Sequence, residues 1–125
     1  LTTYESNSFC SANDAVELLR RVDSPYVVSM CDLVPPFVQF ESIMEYLTKL
    51  GDKMYHFHII DGQQGTDSHI MPGEGNIPLR ELFVELRDAG YKGNATIELV
   101  TGYMNEPRLY ARRAIDNVRA YMNAE

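Results

Sequence analysis

Cysteine is scarce in this chain of 125 residues: Cys10 and Cys31 are the only two, and they stand far apart. That is too few for a disulfide framework or a cysteine-built zinc cluster, and it fits the reduced thiols of a cytoplasmic protein. No apolar run approaches the roughly 20 residues that a membrane span needs. No signal-peptide pattern opens the sequence, so no membrane partner is expected. Basic residues are also in the minority, with 11 Lys and Arg against 18 Asp and Glu and a net charge of −7. Binding to nucleic acid requires a basic footprint, and no Lys/Arg cluster with interleaved aromatics supplies one. Low-complexity segments and internal linkers are absent as well. The first residue is Leu1 rather than Met, which reads as the sign of a processed or excised piece.

What remains is a chain with 45% hydrophobic residues, enough for one domain with a real core. Its parts repeat one phrase: a short β-rich run ending in a polar residue, then a loop, then an amphipathic helix. Leu1-Thr2-Thr3-Tyr4 has the character of a strand end. A helix follows with Ser11 as N-cap and Asp14 three residues on, carrying Ala15, Leu18, Leu19 and Val22 on one face. Tyr26 to Asp32 is the second strand. After Pro35-Pro36 a helix carries Phe40, Ile43, Met44, Leu47 and Leu50 and stops at Gly51. The third strand spans Tyr55 to Asp61, and its helix has Pro78 in the first turn, buries Leu79, Leu82, Phe83 and Leu86, and ends at Gly90. The fourth strand is Asn94 to Leu99, and the helix after Pro107 sets Ala111, Ile115, Val118 and Met122 on its inner face. Strands alternating with helices imply an α/β fold of parallel βα units joined by right-handed crossovers.

The period of two in a strand then sorts the polar residues. It puts His56, His58 and Ile60 on one face and Tyr55, Phe57 and Ile59 on the other, where helices pack. The same alternation groups Val28, Met30 and Asp32 in the second strand, and Asn94, Thr96 and Glu98 in the fourth. Asp32, His58 and Glu98 thus share one side and one end of three neighbouring strands, the end at which α/β folds keep their chemistry. Two carboxylates and an imidazole suit a divalent ion: manganese is favoured, with magnesium, cobalt, zinc or nickel as alternatives. A carboxylate beside such an ion can also move a proton.

Each of these residues has a plainer reading. Asp32 caps the loop after it, His58 is a hydrogen-bonded core histidine, and Glu98, set between Ile97 and Leu99, is buried with a Lys or Arg partner. His56, deeper in its strand, keeps the structural reading. Glu74, in the tight turn Pro72-Gly73-Glu74-Gly75, reads equally as a solvated turn residue, and the polar 61–70 loop as a surface loop or a substrate cover. Glu5 lies on the same rim as the site and either touches substrate or caps a loop. Arg108, Arg112, Arg113 and Arg119 form a solvated helix face.

His56-Phe57-His58, the Pro72-Gly73-Glu74-Gly75 turn, Asp32 upstream and Ile97-Glu98 downstream together resemble the C-terminal half of the xylose-isomerase-like TIM barrels, and within them the ketose 3-epimerases. Tyr4-Glu5-Ser6-Asn7 and the run Glu98 to Arg112 carry the likeness to those acting on fructoselysine. The resemblance covers essentially the whole chain and implies the last four βα units of a (β/α)8 barrel, with the N-terminal half absent. It implies Asp32, His58 and Glu98 as metal ligands, with a fourth, a glutamate, just before Leu1. It also implies a sugar or ketosamine substrate inverted at C3 through an enediolate, Glu98 as one of two catalytic bases, and Glu5 and His69 against substrate hydroxyls. His69 stands where tagatose-type enzymes have an arginine, and Pro35 where they have a substrate-binding histidine, which fits an altered pocket. The isolated piece is expected to be inactive and to self-associate as a homo-oligomer or pair with the missing half through its open sheet edges. A sugar isomerase or inosose dehydratase on the same barrel, and a non-catalytic assembly module, are the rival readings. An apurinic endonuclease would need a basic track that is not there.

Overall fold

A computed structural model of the chain describes residues 9–124. The expected strand at Leu1-Thr2-Thr3-Tyr4 and the candidate Glu5 lie outside the described residues. Helix α1 (Ala12–Val22) begins where the cap pattern places it. The Asp14 amide donates to Ser11 Oγ (3.2 Å), while Asp14 Oδ2 accepts from the Ser11 and Cys10 amides (2.9 and 3.0 Å), so that the first-turn donors are satisfied reciprocally. Asp23, in the left-handed region at φ 44°, ends the helix.

Strand β1 (Ser29–Asp32) is shorter than the alternation predicts. Tyr26 is 94% exposed in a turn, and the backbone carbonyls of Ser24 and Val27 accept from Lys53 Nζ (2.8 and 3.2 Å) instead of from a neighbouring strand. The next helix is likewise divided. Pro35 and Pro36 open a short α2 (Val34–Val38), and α3 (Ile43–Leu50) starts afresh. Between them Phe40 takes φ 59° and is 81% exposed, so it belongs to the reversal and not to the inner face of a helix. Glu41 secures that reversal, with Oε1 accepting from the Ala12 amide (2.9 Å) and Oε2 from the Tyr46 hydroxyl (3.3 Å).

Strand β2 (Met54–Ile59), helix α4 (Leu79–Asp88), strand β3 (Asn94–Ile97) and helix α5 (Pro107–Met122) complete the order. The sheet runs β1-β2-β3 with both pairings parallel, as the expected βα units require. Phe57 and Ile59 of β2 and Cys31 of β1 face the helices and are buried against Tyr46, Leu79, Leu82 and Leu86. Each such side chain contributes about 1.5–3 kcal/mol through the water it leaves. On α5 the inner stripe is Ala114 and Val118, with Tyr121 packed beside them. Ile115 and Met122, expected inside, are 40% and 54% exposed, and Ala111 faces outward too. Both stripes are apolar, and the position of α4 and the 71–75 turn selects the one that is covered. No helix among the described residues is long and apolar enough to cross a membrane.

Candidate metal and proton-transfer site

The register of the sheet assembles the site. Asp32 pairs with His58 across β1 and β2, and His58 pairs with Thr96 across β2 and β3, so their side chains emerge in one row from the inner face. Glu98 comes two residues after Thr96, with its own amide donating to the Ile59 carbonyl (3.1 Å), and so leans over the C-terminal end of β2. His58 Nδ1 lies 3.0 Å from Glu98 Oε2 and 3.6 Å from Asp32 Oδ2. One donor atom from each of the three residues falls within 4.8 Å of the other two, close enough to bind a single ion.

Asp32 does two jobs at once. Oδ1 accepts from the Val34 amide (2.9 Å), the loop-capping role, while Oδ2 faces His58. Burial pushes its carboxyl up to about 6; the Val34 amide opposes that, and the neighbouring Glu98 adds to it. A carboxylate held this way gains by meeting a cation, which is the observation that makes the donor set fit a divalent metal. Glu98 differs from the sequence expectation: its side chain is 36% exposed rather than enclosed, and its side-chain partner is the His58 imidazole rather than a Lys or Arg. His56 lies one layer deeper, edge-on to His58 with ring centroids 5.5 Å apart, and burial lowers its pKa.

His69 reaches the same site from the loop after β2. Nε2 stands 3.7 Å from Asp32 Oδ1 and Nδ1 stands 3.5 Å from Asp67 Oδ1, a carboxylate–imidazole–carboxylate row ending on a candidate ligand. The turn at Pro72-Gly73-Glu74-Gly75 is gripped from the side by α5, where Asn117 Nδ2 donates to the Pro72 carbonyl (2.7 Å). It is also gripped by Tyr103, whose hydroxyl accepts from the Met71 amide (2.7 Å) and donates to Glu74 Oε2 (2.6 Å). Glu74 is therefore a tether between the segments after β2 and β3, not only a solvated turn residue. Sequence reading missed Tyr103 and Asp61; an Asp directly after a strand, followed by Gly62 and then Gly73 and Gly75, was the available signal for the second.

The family model described as xylose isomerase-like TIM barrel matches residues 1–121. Fructoselysine 3-epimerase of Shigella flexneri is 53% identical over 122 residues, which is 98% of this chain and 44% of that relative. The chain thus spans less than half the length of the curated relative it matches. Among solved structures, D-psicose 3-epimerase from Clostridium cellulolyticum H10, crystallised with D-tagatose, superposes with a TM-score of 0.75 at 23% identity, over 99% of this chain and 49% of that one. The IolI protein with a bound zinc atom superposes with a TM-score of 0.63 at 23% identity, over 87% of this chain and 41% of that one.

Proposed function

This chain belongs to the xylose isomerase-like TIM barrel family, and from that premise we propose that it forms part of a divalent-metal-dependent sugar epimerase that inverts C3 of a ketose or ketosamine such as fructoselysine. The observation that carries this reading is the meeting of Asp32, His58 and Glu98 at the ends of three parallel strands, in a chain 53% identical to a fructoselysine 3-epimerase. Asp32, His58 and Glu98 would hold the metal, manganese being the preferred ion. When bound, the metal supplies positive charge next to the ketone oxygen and so makes the C3 proton removable at neutral pH.

The chain's own residues then divide the work. Glu98, 36% exposed and 3.0 Å from His58, takes or returns the C3 proton on one face of the sugar, giving an enediolate that is reprotonated from the other. Inversion needs a second base opposite, which this reading gives to a glutamate outside the sequence at hand. Before an ion binds, His58 Nδ1 keeps the Glu98 carboxylate turned inward. His69, held between Asp67 and Asp32, faces the substrate hydroxyls, and Glu5 is assigned to the same task.

Pairing with the rest of a barrel, or with a second copy, is part of the proposal. Strand β3 has one strand neighbour among the described residues, and its Asn94, Ala95 and Thr96 are exposed. The test uses fructoselysine deuterated at C3, Mn2+, and the chain joined to the N-terminal half of its Shigella relative. Washout of deuterium with formation of the C3 epimer is expected, falling at least about 100-fold in Glu98→Gln. Unchanged washout in that variant removes Glu98 from the reaction, and a product isomerised at C2 or dehydrated points instead to an isomerase or dehydratase on the same barrel.

A further inference from the structure

Three residues beyond His58 lies Asp61, 2% exposed, and all four hydrogen bonds to its carboxylate come from backbone amides. Oδ1 accepts from Gly62 (2.9 Å) and Ile77 (3.0 Å), and Oδ2 from Gly73 (2.9 Å) and Gly75 (3.0 Å). Its backbone joins the same loop: the Asp61 amide donates to the Ile70 carbonyl and the Ile70 amide donates to the Asp61 carbonyl, each at 2.9 Å. One residue therefore fixes the start, the middle and the end of the 62–77 segment.

The two glycines of the turn follow from this. Gly73 takes φ 98°, which a side chain resists, and a Cβ on Gly75 would sit 2.3 Å from Asp61 Oδ1. The turn comes this close because its amides point at a carboxylate. Ile70, which Asp61 pairs with, adjoins His69, and His69 Nε2 is 3.7 Å from Asp32 Oδ1.

We propose that Asp61 is a positioning residue of the site: its carboxylate shapes the 62–77 loop so that His69 is held against Asp32. The Asp61 carboxylate is taken up by the amides of Gly62, Gly73, Gly75 and Ile77 and acts through His69. An amide in its place keeps the size but turns an NH2 toward two of the four donors, which forces the loop to rearrange. Because the consequence for metal binding rests on Asp32 being a ligand, the primary readout is free of metal.

In the metal-free chain, imidazole NMR of Asp61→Asn should show the His69 ring resonances displaced and those of His58 in place. Gly75→Ala, whose Cβ would meet the Asp61 carboxylate at 2.3 Å and the Gly62 carbonyl at 2.4 Å, should do the same. His69 resonances unmoved in both variants overturn the proposal. In the unmodified chain, the amides of Gly73, Gly75 and Ile77 should exchange with solvent slowly and together; fast exchange at Gly73 and Gly75 overturns it even if neither variant folds. With Mn2+ as probe, Asp61→Asn should weaken binding about tenfold, His69→Gln by a similar factor, and the double variant no further. Fully additive losses show that Asp61 does not act through His69. Absence of any Mn2+ binding by the unmodified chain joined to the N-terminal half of its Shigella relative removes the metal reading of Asp32 and leaves the His69 resonances to decide the role of Asp61.

Discussion

His58 Nδ1 and Glu98 Oε2 lie 3.0 Å apart although 40 residues separate them in the chain. The parallel register of β2 and β3 brings about that approach: His58 pairs with Thr96, and Glu98 arrives on the same face two residues later. Imidazole and carboxylate are thereby held as neighbours before any ion arrives, so the cost of ordering them has been met by the sheet.

A first prediction concerns that pair. His58→Gln removes the imidazole donor while leaving a side chain that fills the same space. Mn2+ and Zn2+ affinity, measured by competition with a chromophoric chelator, should fall at least about tenfold, the low end of what even outer partners of a metal contribute. His56→Gln, one layer deeper, should leave it within a factor of two or three.

Asp32 predicts how stability depends on pH. Its folded-state value of about 6 stands above the ordinary value of 3.8, so the folded chain holds that proton more tightly than the unfolded one does. The contribution is fully present below about pH 4 and is lost as pH rises through 6. It amounts to roughly 2–3 kcal/mol. The difference in urea-unfolding free energy between the metal-free chain and Asp32→Asn, followed from pH 4 to 7.5, should show this slope. A flat difference, or one of opposite sign, would contradict the burial of Asp32. Saturating Mn2+ should reverse the loss, since the ion replaces the proton.

Tyr103→Phe removes a hydroxyl that satisfies the amide of buried Met71 and tethers Glu74. Two hydrogen bonds go, one of them leaving a donor without its partner, and about 1–3 kcal/mol of stability should go with them. Faster amide exchange should be confined to residues 71–75, which distinguishes a lost tether from a general weakening.

Two phenylalanines should separate cleanly in denaturation experiments. Phe57 is fully buried and stacks edge-on against Tyr91 with centroids 5.2 Å apart, so Phe57→Ala should cost about 3–5 kcal/mol. Phe40, 81% exposed in the turn between α2 and α3, should tolerate Phe40→Ser within about 0.5 kcal/mol.

Much of this molecule is set by local chemistry and can be read from the chain directly. Ser11 and Asp14 start α1 because the donors they satisfy are three residues away, Gly51 and Gly90 end helices because they accept positive φ, and the period of two puts Asp32 and His58 each on the inner face of its own strand, while their meeting with Glu98 waits for the register. Those features depend on neighbours in sequence, so sequence alone determined them. Tertiary structure decided the rest. The helix α5 has two apolar stripes, and only its packing chose Ala114 and Val118 over Ile115 and Met122. Lys53 claimed the Val27 carbonyl near the expected start of β1, and the reversal at Phe40 divided one expected helix into two. Asp61 is the clearest case: its carboxylate gathers amides as far as 16 residues onward, a convergence that no periodicity encodes, because it exists only once the loop has closed over a buried charge that must be hydrogen-bonded.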